Sequence, residues 1–200
     1  MRQFPETRVG ADALRAIYSA SMPTAREVLD LTIALEKQSM ALYASFAKLF
    51  AADLKLHEFW FGMARDEARH VGALGLVSTV LELEGKLDQP SPVSLDDATI
   101  MRLRALHAGF ENRAQPSLTL GQALKIALEV EETELEDLVA DLLKASKSDE
   151  YERCLRLLVH DLGELSYMIE QNAQEDPDLL QRCDALVNRH AEELRKAART

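Results

Sequence analysis

Cysteine is almost missing from this chain. The two present, Cys154 and Cys183, stand 29 positions apart and form neither a C-x-x-C pair nor a disulfide framework. A reducing cytoplasm is therefore the expected location. Glycine and proline are scarce, at 8 and 6 in 200 residues, and fall mostly between periodic stretches. With Leu, Ala and Glu dominant, this points to an all-α chain of one domain with appendages, long enough to bury a proper core. No apolar run approaches the roughly 18 residues that would span a membrane. The opening MRQFPETRVG has no apolar h-region, so no secretory signal is expected. Basic residues are outnumbered, 23 against 34 acidic, which gives a net charge of −11 and a pI near 4.9. Such a surface repels phosphate backbones and anionic lipid, so neither nucleic acid nor membrane is expected as a partner. It mildly favours cations, although most of these charges are solvated helix faces.

What the chain does have is helical periodicity, in four long amphipathic segments. The first starts at a Thr24/Glu27 capping box and runs to about residue 52. The second covers about 56–84, stops at Gly85 and, at ~1.5 Å per residue, is roughly 40 Å long. The third opens at a Thr119/Gln122 capping box and ends near residue 144, and the fourth covers about 148–172. Residues 85–117 between the second and third are rich in Pro, Ser and Asp, with a shorter helix expected at about 95–108. Two short connections and one long one predict a ferritin-like antiparallel four-helix bundle, residues 24–173, with its long crossover between helices two and three. Residues 1–23 form an N-terminal extension with one helix around 11–20. Residues 174–200 hold a final helix that begins at an Asp176 N-cap with Pro177 at its first position. Leu179, Leu180, Leu186, Val187 and Leu194 of that helix are available to pack on the bundle or on a second subunit, and a homodimer is expected.

Each long helix interrupts an apolar seam near its centre with metal-competent groups. The first seam reads Leu29, Ile33, Glu36, Met40, Tyr43, Ala47, Phe50, and the second reads Trp60, Met63, Glu67, His70, Leu74. The third reads Leu124, Leu128, Glu131, Leu135, Leu138, Leu142, and the fourth Cys154, Leu157, Asp161, Glu164, Met168. Glu36 and Glu67 are 31 residues apart and Glu131 and Asp161 are 30, while Glu67–Asp161 and His70–Glu164 are each 94, as two copies of one hairpin would give. The echo of LTIALE in LKIALE would instead pair Glu36 with Glu129. Glu131 is preferred, because Glu129 shares its stripe with Gln122, Thr133 and Glu136, which reads as solvated; Glu132 and Glu134 stay open. The fourth helix also has a cleaner apolar stripe, Leu155, Leu158, Leu162, Leu165 and Ile169, and if that stripe faces the core Asp161 and Glu164 face solvent. His57, His107 and His190 read as surface residues, and Cys154 as a small buried hydrophobe.

A buried, unpaired carboxylate costs several kcal/mol or takes up a proton. Several on one core repel, and a divalent cation removes both problems. Glu67 and His70, at i and i+3, share one helix face. Mixed oxygen and imidazole donors suit iron or manganese.

The stretch 24–173 resembles the rubrerythrin branch of the ferritin-like superfamily. ALEKQSMALYASFA resembles that family's first helix, with Glu36 at the ligand position and Tyr43 seven residues on. FWFGMARDEARH carries Glu67 and His70 as its Glu-x-x-His motif, and ALKIALEVEETELEDL resembles the third helix, with Glu131 as ligand and Glu134 as an additional carboxylate. The fourth helix departs from the pattern. HDLGELS places Asp161 and Glu164 in the matching phase and displaces His160 by about 100° around the helix. The rubredoxin-like domain is missing too. The resemblance implies two irons per chain, with one possible, or manganese. It also implies peroxide or dioxygen reduction or ferrous-iron oxidation, with an external electron donor, and Tyr43 hydrogen-bonding a ligand or donating an electron. Two rivals stand beside it. One is a mononuclear site; the other is a degenerate, metal-free bundle serving as an oligomerisation or partner-binding module.

Overall fold

The computed structural model describes residues 22–93, 101–102, 104–105, 108–109, 117–173 and 175–199, and these are all-helical, with no strand among them. The helices are α1 Ala25–Leu49, α2 Leu54–Leu83, α3 Leu120–Glu131, α4 Glu134–Ala145, α5 Glu150–Asn172 and α6 Pro177–Ala197. The helix expected at 11–20 lies outside the described residues. The one expected at 95–108 is described only at residues 101, 102, 104, 105 and 108, all helical. No helix among the described residues is long and apolar enough to cross a membrane.

Local chemistry sets the helix ends. The Thr24 hydroxyl accepts from the Glu27 N–H at 3.2 Å, and the Glu27 carboxylate accepts from the Thr24 N–H at 2.8 Å. Asp53 caps α2 by accepting from the N–H groups of Lys55 and Leu56, so residues 50–53 suffice to return the chain. Gly85, at φ +68°, ends α2: the Lys86 N–H reaches back to the Leu81 carbonyl and that of Gly85 to Glu82. Only glycine adopts this conformation without steric cost. The segment that follows then satisfies orphan donors at the start of α1, with Ala25 donating to the Gln89 carbonyl and Arg26 to that of Leu87, both at 2.9 Å. The Arg26 guanidinium pairs with Asp88 across the same junction.

The α4–α5 turn uses the same left-handed geometry, but with Lys147 at φ 52°. A side chain there costs about 1–2 kcal/mol that glycine avoids. Lys147→Gly is therefore expected to raise the urea midpoint, by about 1 kcal/mol of stability once the added freedom of the unfolded chain is subtracted.

The expected third helix is two. The break falls at Glu132 and Thr133, where Thr133 is extended (φ −71°, ψ 162°) and its hydroxyl accepts from the Leu135 N–H at 3.3 Å. Threonine is a poor interior helix residue and a good cap, and a continuous helix here would stack the carboxylates of EVEETELED. Arg182 of α6 reinforces the junction with a two-pronged contact to Glu132.

α1 packs along α2, and α5 along α6; α3 and α4 bridge the two pairs. Leu179, Cys183 and Leu186 bury the apolar stripe of α6 within the chain. Two apolar cores result. One surrounds Tyr43, Phe46, Trp60, Leu124 and Leu162, and the other surrounds Leu29, Leu74, Leu135 and Leu142. The changeover along α1 falls between Leu35 and Leu42, along α2 between Ala64 and Ala73, and along α3–α4 between Val130 and Leu135. The buried polar residues Glu36, Ser39, Asp66, Glu67, His70, Glu131 and Thr133 lie in those gaps.

Candidate metal centre

Glu36 of α1, Glu67 and His70 of α2 and Glu136 of α4 converge between the two cores. Each offers a ligand atom within 4.8 Å of the others. The His70 Nδ1 lies 3.3 Å from Glu67 Oε2, 3.5 Å from Glu36 Oε2 and 3.7 Å from Glu136 Oε2. All four side chains are buried. Both Glu36 oxygens are shut off from solvent without a hydrogen-bond partner among the described residues, and so is the Ser39 hydroxyl one turn on.

The electrostatics follow from this crowding. Burial, then the charge of Glu136, raises the Glu36 pKa; burial, then Glu36, pushes Glu67 well above the usual carboxylate range. Burial likewise drives Glu136 far upward, against the pull of His70. For His70, burial pulls the pKa down, but the carboxylates of Glu136, Glu36 and Glu67 together outweigh it and hold the imidazole well above its ordinary value. Without a cation, burial and mutual repulsion therefore favour the protonated forms of these acids. A hard or borderline divalent cation matches three carboxylate oxygens and one imidazole, and it would give the lone pairs of Glu36 a partner. The residues present fit a metal ion.

No family model matches the chain, and neither a curated protein nor a solved structure matches it. The site's chemistry has to be read from its own residues.

Glu136 was expected on a solvated stripe, and this is corrected. It is 4% exposed and part of the cluster, because the buried face of α4 is wide and takes in Glu136 beside Leu135, Val139 and Leu143. The sequence did hold a signal. Thr133 and Glu136 have capping-box spacing, yet the glutamate turns inward instead of completing the cap. Glu131, preferred from the seam, is buried but outside the converging group; its Oε1 accepts from the Tyr43 hydroxyl at 2.5 Å. Burial, then the charge of Glu67, raises Glu131 to about 8, although the Tyr43 bond works the other way. Tyr43 is fully buried, and burial raises its pKa well above the usual value.

The α5 residues stand apart from the cluster. Glu164 and His160 are exposed, and Asp161 is mostly buried, with its side chain 14% exposed, and held by the His160 Nδ1 at 3.1 Å. Burial, then neighbouring Asp66, raises Asp161 to about 7. The stripe Leu155, Leu158, Leu162, Leu165 and Ile169 faces the core instead. Asp66, unforeseen from the sequence, is 5% exposed and pairs with Arg69. The Glu134 side chain and His107 lie outside the described residues.

A second group, Asp137, His190 and Glu193, also comes within 4.8 Å. His190 was expected at the surface and is instead fully buried, because α6 folds back onto the chain. Arg189 already supplies a cation there, 3.0 Å from His190 Nε2 and 3.4 Å from Asp137. An arginine can only donate, so Nδ1–H of His190 donates to Glu193 at 3.3 Å. Burial, then Arg189, lowers the His190 pKa. This group is satisfied internally.

Proposed function

We propose that the chain is a ferritin-like four-helix bundle of the rubrerythrin type that binds iron through Glu36, Glu67, His70 and Glu136. In this reading it reduces peroxide or dioxygen, or oxidises ferrous iron, in the cytoplasm, with electrons from an external donor. The observation that carries the metal is Glu36, a fully buried carboxylate with no hydrogen-bond partner among the described residues, facing two more acids and a histidine. Iron supplies one-electron chemistry toward an O–O bond when bound. Around it, Glu36, Glu67 and Glu136 hold compensating negative charge, the two apolar cores exclude bulk water, and Tyr43 keeps its hydroxyl proton on the hydrogen bond to Glu131 Oε1. The single converging group favours one tightly held ion per chain. A second would draw on Glu131 and Asp161, outside that group.

Anaerobic ferrous loading, gel filtration and metal analysis test this, with manganese in parallel. About one equivalent of retained metal is expected, and fewer than about half an equivalent would overturn the proposal. Two equivalents would select the di-iron form. The surface position of Glu164 and His160 favours the rival, a metal-free bundle acting as a partner-binding module, and zero retained metal would select it.

A further inference from the structure

Among the described residues four buried side-chain atoms have no hydrogen-bond partner: both Glu36 oxygens, the Ser39 hydroxyl and the Trp60 indole Nε1. A cation at the centre would answer for Glu36. It does not answer for Ser39, whose hydroxyl donates as well as accepts and is fully buried. A helical serine has a ready local partner in the carbonyl four residues back, and the other two hydroxyls of α1 take it. Thr32, also fully buried, donates to the Val28 carbonyl and Ser45 to that of Ala41, both at 2.8 Å. Ser39 leaves the Leu35 carbonyl unused. A buried hydroxyl without a partner is unfavourable, so a rotamer that forgoes the local bond calls for a partner from outside the chain.

The position of Ser39 says what that partner is. At about 100° and ~1.5 Å per residue, Ser39 lies within about 60° of Glu36 and about 40° of Tyr43 on the buried face of α1, about 4.5 Å beyond the first and about 6 Å short of the second along the axis. Glu36 faces Glu67 across the α1–α2 hairpin, and Tyr43 faces Trp60 with 6.1 Å between ring centroids. The same register sets Ser39 opposite Ala64, which is buried and has no polar side-chain atom. Small side chains therefore stand between the acids and the aromatic rings. Tyr43 has already committed its one O–H to Glu131, while the Ser39 O–H is uncommitted. Four protein donors, bound through one atom each, also leave open positions on a six-coordinate ion.

We infer, on the reading that the centre holds a metal ion, that the Ser39 hydroxyl donates a hydrogen bond to a small anion bound there, hydroperoxide in function. Ser39 is then a ligand-binding residue and not a structural one. An anion is the suitable acceptor, because a hydrogen bond to a charged group is about twice as strong as one between neutral groups.

Azide, a small anion, serves as the probe. Iron-loaded, air-oxidised protein is titrated with azide and followed by visible absorption, with Ser39→Ala in parallel. Both proteins are expected to retain the same iron, and the variant to bind azide about 10-fold more weakly, as the loss of one hydrogen bond predicts. In metal-free protein Ser39→Ala is expected to melt no lower than the parent, since the hydroxyl has no partner to lose and alanine favours the helix. Equal azide affinities, or no azide binding by the iron-loaded parent, would overturn the assignment alone and leave the hydroxyl to an ordinary internal water. Loss of iron from the variant would overturn it by making Ser39 a metal ligand, and a lower metal-free melting temperature by revealing a partner within the chain. A parent that retains no iron would overturn the metal reading itself, and the assignment with it.

Discussion

Glu36→Leu is expected to move the stability of the protein in opposite directions with and without metal. In the metal-free chain the substitution removes a carboxylate that is 0% exposed and without a hydrogen-bond partner. An apolar side chain of similar size fits between the two cores. Because His70 keeps Glu67 and Glu136 as partners, relief of the unsatisfied buried group gives a gain of about 1–3 kcal/mol, or roughly 2–12 °C in Tm for a chain of this length. With ferrous iron present, the same change deletes a ligand, and affinity should fall by on the order of 100-fold or more. Metal-induced stabilisation, about 4 kcal/mol when free metal is a thousand times the parent Kd, should fall to about 1.4 kcal/mol or less at the same free metal. Thermal unfolding of both proteins, with and without anaerobic iron, separates the effects. A variant that retains iron and its metal-induced Tm shift would refute Glu36 as a ligand, and a metal-free variant less stable than the parent would refute the account of Glu36 as one acid too many in the buried cluster.

The metal-free protein is expected to lose stability as pH rises from about 4.5 to about 8. Glu131 moves from its ordinary 4.5 to about 8, and Asp161 from 3.8 to about 7. Glu36, Glu67 and Glu136 move the same way. Over that interval the folded state keeps protons that the unfolded chain has released. Each such proton makes stability fall by about 1.4 kcal/mol per pH unit. The raised His70 acts in the same direction above its ordinary 6.5, since its folded form still holds a proton there. Because these groups repel and share protons, the summed loss is on the order of a few kcal/mol rather than the total of separate sites. Metal binding displaces the protons held by Glu36, Glu67, His70 and Glu136, so the loaded protein should lose their share of the slope, with Glu131 and Asp161 keeping theirs, and its affinity should rise with pH. Urea titrations at pH 5 and pH 8 measure the effect, and a metal-free midpoint that is flat or climbs between them would contradict it.

Both predictions depend on a site that was only half legible from the chain. Glu36, Glu67 and His70 sit on uninterrupted helices whose ends are marked by Thr24/Glu27, Asp53 and Gly85, so their phase could be followed from cap to centre. Glu136 could not be followed in this way. Leu124, Leu128, Leu135, Leu138 and Leu142 keep one apparent phase through Thr133, and all are buried, so the seam conceals both the break and the wider buried face of α4 that takes in Glu136. On α5 two stripes competed. Burying five Leu and Ile side chains gains about 1.5–3 kcal/mol each, while turning Asp161 and Glu164 inward costs desolvation of two acids. The aliphatic stripe wins, and that balance could be weighed in advance. The position of α6 against α5, which closes over His190, had only a weak signal, because its leucines suit a neighbour in the same chain or in another.

Trp60 is the only tryptophan in the chain. It is fully buried, edge-on to Phe46 and Phe59 and stacked on Tyr43, whose hydroxyl holds Glu131. Its indole Nε1 has no partner. The protein thus carries one tryptophan fluorophore, which can be excited apart from the four tyrosines, in a buried setting two side chains from the acids, and its emission needs no label to report events at the centre.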